Sequence, residues 1–524
     1  QIDYGSLSEP VASSPGIWLS IGGDLATVGD HAPVAVLQAI GGGGGWLGNS
    51  QGNARLGLSD SLNNRVEADG GSILVTSDPG SSYISTGVSS PGLVVQSVGG
   101  GGGASGIAGG SARLGSSGGT GSLMGGPITM TGWVWTSTSG DNSPTLVMQS
   151  IGGGGGLVAD VEGTQLDLGT TSNGNTSAAS VWIAGNIQLY SDGTNSPGLV
   201  AQSIGGGGGM AFTDTANVNL GSDTSGNSSS GDVSVYAWDG AIISTQGSSS
   251  PAVLAQSVGA GGGYAGGSGS GSVAQVSLGG SGQQSGGAGN VSVNLHNTSL
   301  LITTGTQSQG VIAQAIGGGG GFTSQNGAAM RLGMDGGTGS AGSVSIFNQG
   351  IIATSGSYSE GVLAQSIGGG GGSAGASTTN LVLGSSLGST SNGGDVSVTN
   401  IDWISTSGDY SIGVFAQSVG GGGGRVGNAS GDMTLGSNGG GGDGGNVSLN
   451  NGGGTIATAG AYSPAYLMQS IGGGGGMVGL GQSDGTGNVL LGGGVDGTAG
   501  SGGSLTLVNA CLLYTSDAAD DTPC

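Results

Sequence analysis

The chain has 524 residues, of which 131 are glycine, 29 are acidic, five are arginine and none is lysine, giving a formal net charge of −24. A surface this acidic repels phosphate backbones and anionic lipid, which argues against nucleic acid and against anionic membranes as partners. Glycine at this level suits a disordered polymer, yet a third of the residues are hydrophobic and recur in register with the glycines, so a folded array is expected.

The predicted elements repeat along the chain. Residues 1–19 read as a partial unit, 20–510 as a repetitive array and 511–524 as a tail of different character. Within a unit, seen clearly between 373 and 424, the first piece is an apolar stretch ending in Leu-Gly, Leu381–Gly384. Copies include Leu56-Gly57, Leu114-Gly115 and Leu435-Gly436. A Ser/Gly/Asn-rich loop leads to the second piece, Gly394–Val398, whose strict apolar/polar alternation predicts a half-buried strand. The third piece, Ile404–Gly408, places a threonine eleven residues before a glutamine, as in Thr245 to Gln256 and Thr354 to Gln365. Ser-Pro, Asn-Gly and Asp-Gly turn signals separate the pieces. No segment has helical periodicity.

The fourth piece ends on a glutamine and runs into a block of glycine, as in GVLAQSIGGGGG at 361–372. Its nine glutamines are Gln38, Gln96, Gln149, Gln202, Gln256, Gln314, Gln365, Gln417 and Gln469. Their near-constant spacing identifies a repeat architecture. Two residues to either side of each stands a large apolar residue, such as Leu363 and Ile367 around Gln365. Both strand faces therefore read as buried, the habit of parallel stacks. A buried amide needs partners. Stacked glutamines would supply them, and so would a turn in the same unit, which is the simpler expectation.

Five ordered glycines cost ~3–5 kcal/mol relative to alanine. Their steady number predicts a steric or conformational requirement, and the single interruption, Ala260, adds only a methyl group. Units of about 53 residues with three or four strands suit an all-β parallel β-helix or β-solenoid of about nine Gly-rich repeats, with two to three coils per repeat. A β-propeller is the alternative architecture, and a partly disordered Gly-rich array is the other; nine units exceed the usual blade number.

The repeated Ile-x-Thr-x-Gly … Gly-Val-x-Ala-Gln-Ser-Ile-Gly-Gly-Gly-Gly-Gly unit resembles the passenger regions of large bacterial autotransporter proteins of type V secretion. The resemblance covers roughly residues 20–510. It implies a β-helix exported through a C-terminal outer-membrane barrel and displayed as an adhesin on a Gram-negative cell, with surface glycans or proteins as partners. No signal segment precedes Gln1 and no barrel strands follow, so the sequence reads as an internal fragment. Multivalent weak contact along a rigid array is the expected mode of action. The alternative function is a β-helix enzyme fragment acting on polysaccharide.

No catalytic, metal or cofactor residue is assigned. His31 and His296 are solitary and read as loop residues. Gly439–Val447 has the composition of a calcium loop with its Asp misplaced. Regular threonines raise the possibility of an ice-binding face. The tail, CLLYTSDAADDTPC, contains the two cysteines, Cys511 and Cys524; it resembles translated sequencing-adapter sequence and is set aside.

Overall fold

A computed structural model describes residues 2–4 and 13–515, apart from 58–66, 117–120, 162, 172–173, 222–225, 268–274, 281–285, 325–328, 335–337, 378–379, 386–389, 430, 437–440, 480–487, 493–499 and 510–512. The described residues form strands and turns with no helix. Every strand pairing is parallel. The molecule is an all-β solenoid.

Each repeat is a single coil. Gln365 lies opposite Gln314 on one side and Gln417 on the other, with flanking residues in the same register. Two to three coils per repeat is therefore incorrect: the sequence period equals the turn of the solenoid. A coil also has five strands where three or four were expected. In the Gln365 coil they are Val344–Asn348, Ile351–Thr354, Val362–Ile367, Gly371–Ser377 and Leu381–Leu383. The unforeseen strand starts inside the glycine block.

Stacking these strands makes four sheets, called here bent, glutamine, glycine and leucine after their pieces. The bent sheet holds two ladders side by side, separated by a turn in most coils. In the Gln149 and Gln202 coils the turn is absent and one straight strand runs through, Ile128–Thr138 and Val181–Ser191.

The core follows from alternation. Leu93 and Val95 pack with the inward residues of the bent sheet, such as Val75 and Met130. Val94 faces the other way, onto Ala104 and Leu157 of the glycine sheet. That sheet turns Val158 and Ala211 towards Leu166 and Leu168 of the leucine sheet. The layers thus run bent, glutamine, glycine, leucine. The two inner sheets are buried on both faces, and the two outer sheets each show one face to solvent. Each fully buried Val, Leu or Ile contributes ~1.5–3 kcal/mol.

The glycine block is where the chain passes from one inner layer to the next. In the block 152–156 the last two glycines have φ of +128° and +140°, and a Cβ there would lie 2.0 Å and 1.7 Å from the carbonyl oxygens of Gly208 and Gly103. Neighbouring coils touch backbone to backbone, which explains the fixed block. Ala260 occupies the second block position at φ +66°. A Cβ is crowded less at that position than at the last two, with its nearest neighbour 2.9 Å away at Gly42 and Gly153, 3.0 Å at Gly318 and Gly421 and 3.2 Å at Gly100.

Candidate functional site

The nine glutamines meet in one line. Each Nε2 donates to the Oε1 of the next coil, from Gln38 through to Gln469, in eight successive bonds of 2.7–2.9 Å. The simpler expectation, an amide bonded within its own unit, describes only the second N–H. Gln417 Nε2 also donates to the carbonyl of Gly424 at 3.3 Å, the last glycine of its own block. The amide spine is sealed between apolar rows, Val200 and Leu254 to one side and Ile204 and Val258 to the other.

Other polar residues serve the same stacking. Asn348, Asn400, Asn451 and Asn509 form a second amide ladder with bonds of 2.8–2.9 Å. The threonines of the third piece point inward: Thr245, Thr303 and Thr406 are buried, and their hydroxyls donate to serine carbonyls five residues on at 2.5–2.7 Å. An ice-binding threonine face is overturned by that burial. The serines continue the pattern, with Ser359 N donating to Ser411 Oγ and Ser359 Oγ donating to the carbonyl of Gly305.

The acidic residues also bind between coils. Carboxylates of Asp30, Asp141, Asp395 and Asp409 accept backbone N–H groups from the following coil at 2.7–2.9 Å. Asp443, in the segment with calcium-loop composition, accepts Ser501 N at 2.7 Å; Gly439 and Gly440 of that segment lie outside the described residues. No group of three or more His, Cys, Asp or Glu side chains stands together among the described residues.

One buried ion pair interrupts the apolar rows. Glu360 stands where six other coils have proline and two have Gln309 and Ile412, and Arg425 where they have residues such as Met210 and Met477. Their side chains are paired, and Gln309 donates to Glu360 Oε2 at 3.0 Å. Burial pushes the Glu360 carboxyl above its ordinary range, against the opposing pull of Arg425 and Gln309. Nearby, Tyr358, Tyr410 and Tyr462 stack at 4.9 and 5.2 Å on turn positions with φ of +54° to +57°. His31 occupies the equivalent turn position near the start of the array, at φ +56°. His296 lies in a distant turn of the bent sheet, so the two histidines do not meet.

The feature missed in the sequence is on the outside. Trp18, Trp133, Trp135, Trp182 and Trp403 lie on the outward face of the bent sheet, with Trp238 at its corner. Six of the seven tryptophans are thus on one outer sheet. Trp135 packs against Tyr190 at 5.9 Å and Trp182 against Tyr236 at 6.2 Å. Trp133 and Trp238 line a cleft with Asn186, Asp239 and His296. Apolar side chains gathered on a solvent face mark an interaction surface. The sequence signal was available: in Ile128–Thr138 the tryptophans stand out of phase with the buried Val134 and Thr136.

Comparison of the chain with protein-family models, with curated proteins and with solved structures finds no match.

Proposed function

We propose that this chain is the surface-exposed, adhesive passenger region of a bacterial autotransporter-like protein, acting through many weak contacts along a rigid array. One observation carries the reading: the aromatic side chains are gathered on the solvent face of a stack whose interior is cross-linked by continuous amide ladders. A rigid support holds successive contact residues at fixed spacing, so that a second contact forms at high effective concentration once the first is made. In this reading the array stands at the cell surface of a Gram-negative bacterium, a barrel of the same protein anchors it in the outer membrane, and no reaction is catalysed. The partners are glycans or proteins of a host or neighbouring cell.

The test uses cells carrying the complete reading frame. Antibody raised against the array should label intact cells, and external protease should remove that label. Labelling only after the cells are broken would overturn the reading.

A further inference from the structure

The cleft arises from a local shortening of the coil. Val233–Ala237 and Ile242–Thr245 of the Gln256 coil are joined by a turn through Trp238 and Asp239. The Gln149 and Gln202 coils cross the same corner as straight strands of 11 residues, two fewer than the span from Val233 to Thr245. Beside the projecting turn they leave a depression of about 350 Å³. Its floor is Asn186, which is buried and donates from Nδ2 to the Asp239 carbonyl at 2.8 Å. Trp133 and Trp238 remain 45% and 42% exposed. They sit two coils apart, roughly 10 Å at the spacing of paired strands. Asp239 and His296 complete the lining.

We propose that this cleft binds a neutral oligosaccharide of hexopyranose units. The face of an indole is electron-rich and attracts the polarised C–H bonds that a pyranose presents on its apolar side. The sugar hydroxyls, which both donate and accept, find an acceptor in Asp239, either role in His296 and the second Nδ2 hydrogen of Asn186, whose Oδ1 accepts from Gln188 at 3.3 Å. Two indoles about two coils apart match the length of a disaccharide better than a single ring. The Trp182–Tyr236 and Trp135–Tyr190 pairs on the same face offer further platforms for a longer chain. No arginine lines the cleft and the chain is strongly acidic, which selects against sulfated or carboxylated sugars. An open cleft also lacks the enclosing aromatic walls that a quaternary ammonium ion requires. The proposal deepens the adhesive reading and rests on it for its setting.

The purified array is titrated with cellohexaose, mannohexaose and maltohexaose, and separately with tetramethylammonium chloride, following indole fluorescence and heat. Saturable binding of at least one hexaose is expected, weakened roughly tenfold by Trp133→Ala or by Trp238→Ala. Asp239→Ala, which changes only an exposed turn, should weaken it several-fold. Gln275→Ala, exposed on the opposite outer sheet, should leave it unchanged. Failure of all three hexaoses to bind, binding that survives both cleft tryptophan variants, or preference for tetramethylammonium would overturn the proposal. Each of those failures leaves the surface-labelling result, and with it the adhesive reading, to stand or fall separately.

Discussion

Gln365 connects two neighbours at once: it accepts from Gln314 and donates to Gln417. Replacement by leucine preserves volume but leaves a buried N–H of Gln314 and a buried oxygen of Gln417 without their ladder partners. At about 1–3 kcal/mol for each stranded group, Gln365→Leu is expected to destabilise the array by ~2–5 kcal/mol in urea denaturation. A change below about 0.5 kcal/mol would show that the ladder contributes little. That the glutamine shares a buried face with Leu363 and Ile367 was readable from alternation. Its partner was not, because the choice between a neighbouring glutamine and a local turn depends on how many residues make one coil. Nothing in a 53-residue period states whether the chain has gone round once or three times.

The Glu360–Arg425 pair makes a different prediction. The folded state holds the Glu360 proton more tightly than the unfolded chain does, since burial raises its pKa. Stability contributed by this group is therefore greatest at acid pH and falls as the pH rises from the unfolded carboxyl value through the folded one. Arg425→Met alone leaves a carboxylate buried without its cation and should cost ~3–5 kcal/mol at neutral pH. The double variant Glu360→Ile with Arg425→Met copies residues found at these places in other coils, Ile412 and Met477. It is expected to match or exceed the parent by up to about 4 kcal/mol at pH 7 and to lose that part of the pH slope. Parallel melts at pH 5 and pH 8 measure it; a double variant as unstable as the single one would refute the account.

At the level of strands, four pieces of the coil were legible, the second by its apolar/polar alternation and the others by apolar positions that recur at fixed places in each period. The fifth was hidden in the glycine block, where a strand has no side chains with which to alternate. Gly371 and Gly372 begin a strand despite the low β propensity of glycine, because only glycine permits φ near +139° with a carbonyl of a neighbouring coil where a Cβ would stand. Gly372→Ala would set a methyl group 1.9 Å from the Gly321 oxygen. A loss of about 3–5 kcal/mol is expected, read as a lower denaturation midpoint. Ala260→Gly, at the less crowded second position, should change stability by less than ~1 kcal/mol, since relief of the left-handed backbone offsets the added chain entropy. Equal effects at the two sites would remove the steric explanation of the block. The outward tryptophans were equally visible in sequence, but alternation alone does not say which phase faces the core.

For the whole molecule, stability should sum over coils and their interfaces. Deleting Met210–Gly263 joins Gly209 to Tyr264 and removes one complete period. The product should keep its β circular dichroism and a cooperative melt, with a lower midpoint because one interface is lost. Deleting only the first half of that segment joins strands of unlike sheets and should abolish the melt. If both deletions behave alike, the single-coil register is wrong. Here the sequence was informative about period and class, and silent about layering: the two doubly buried sheets emerge only when the chain is seen to pass through its own interior.

The shared register of the glutamine spine has one more consequence. Sequence separations between bonded glutamines vary from 51 to 58 residues, yet the amide contacts remain within 0.2 Å of one another. The glutamine strands keep the same register whatever the separation, so each described interface between them repeats the one before it, with donors facing one way. Such a stack carries no information about how many coils it should have. Its reach is a property of gene length, free to grow or shrink by whole periods through recombination between repeats, while the geometry offered to a partner stays constant.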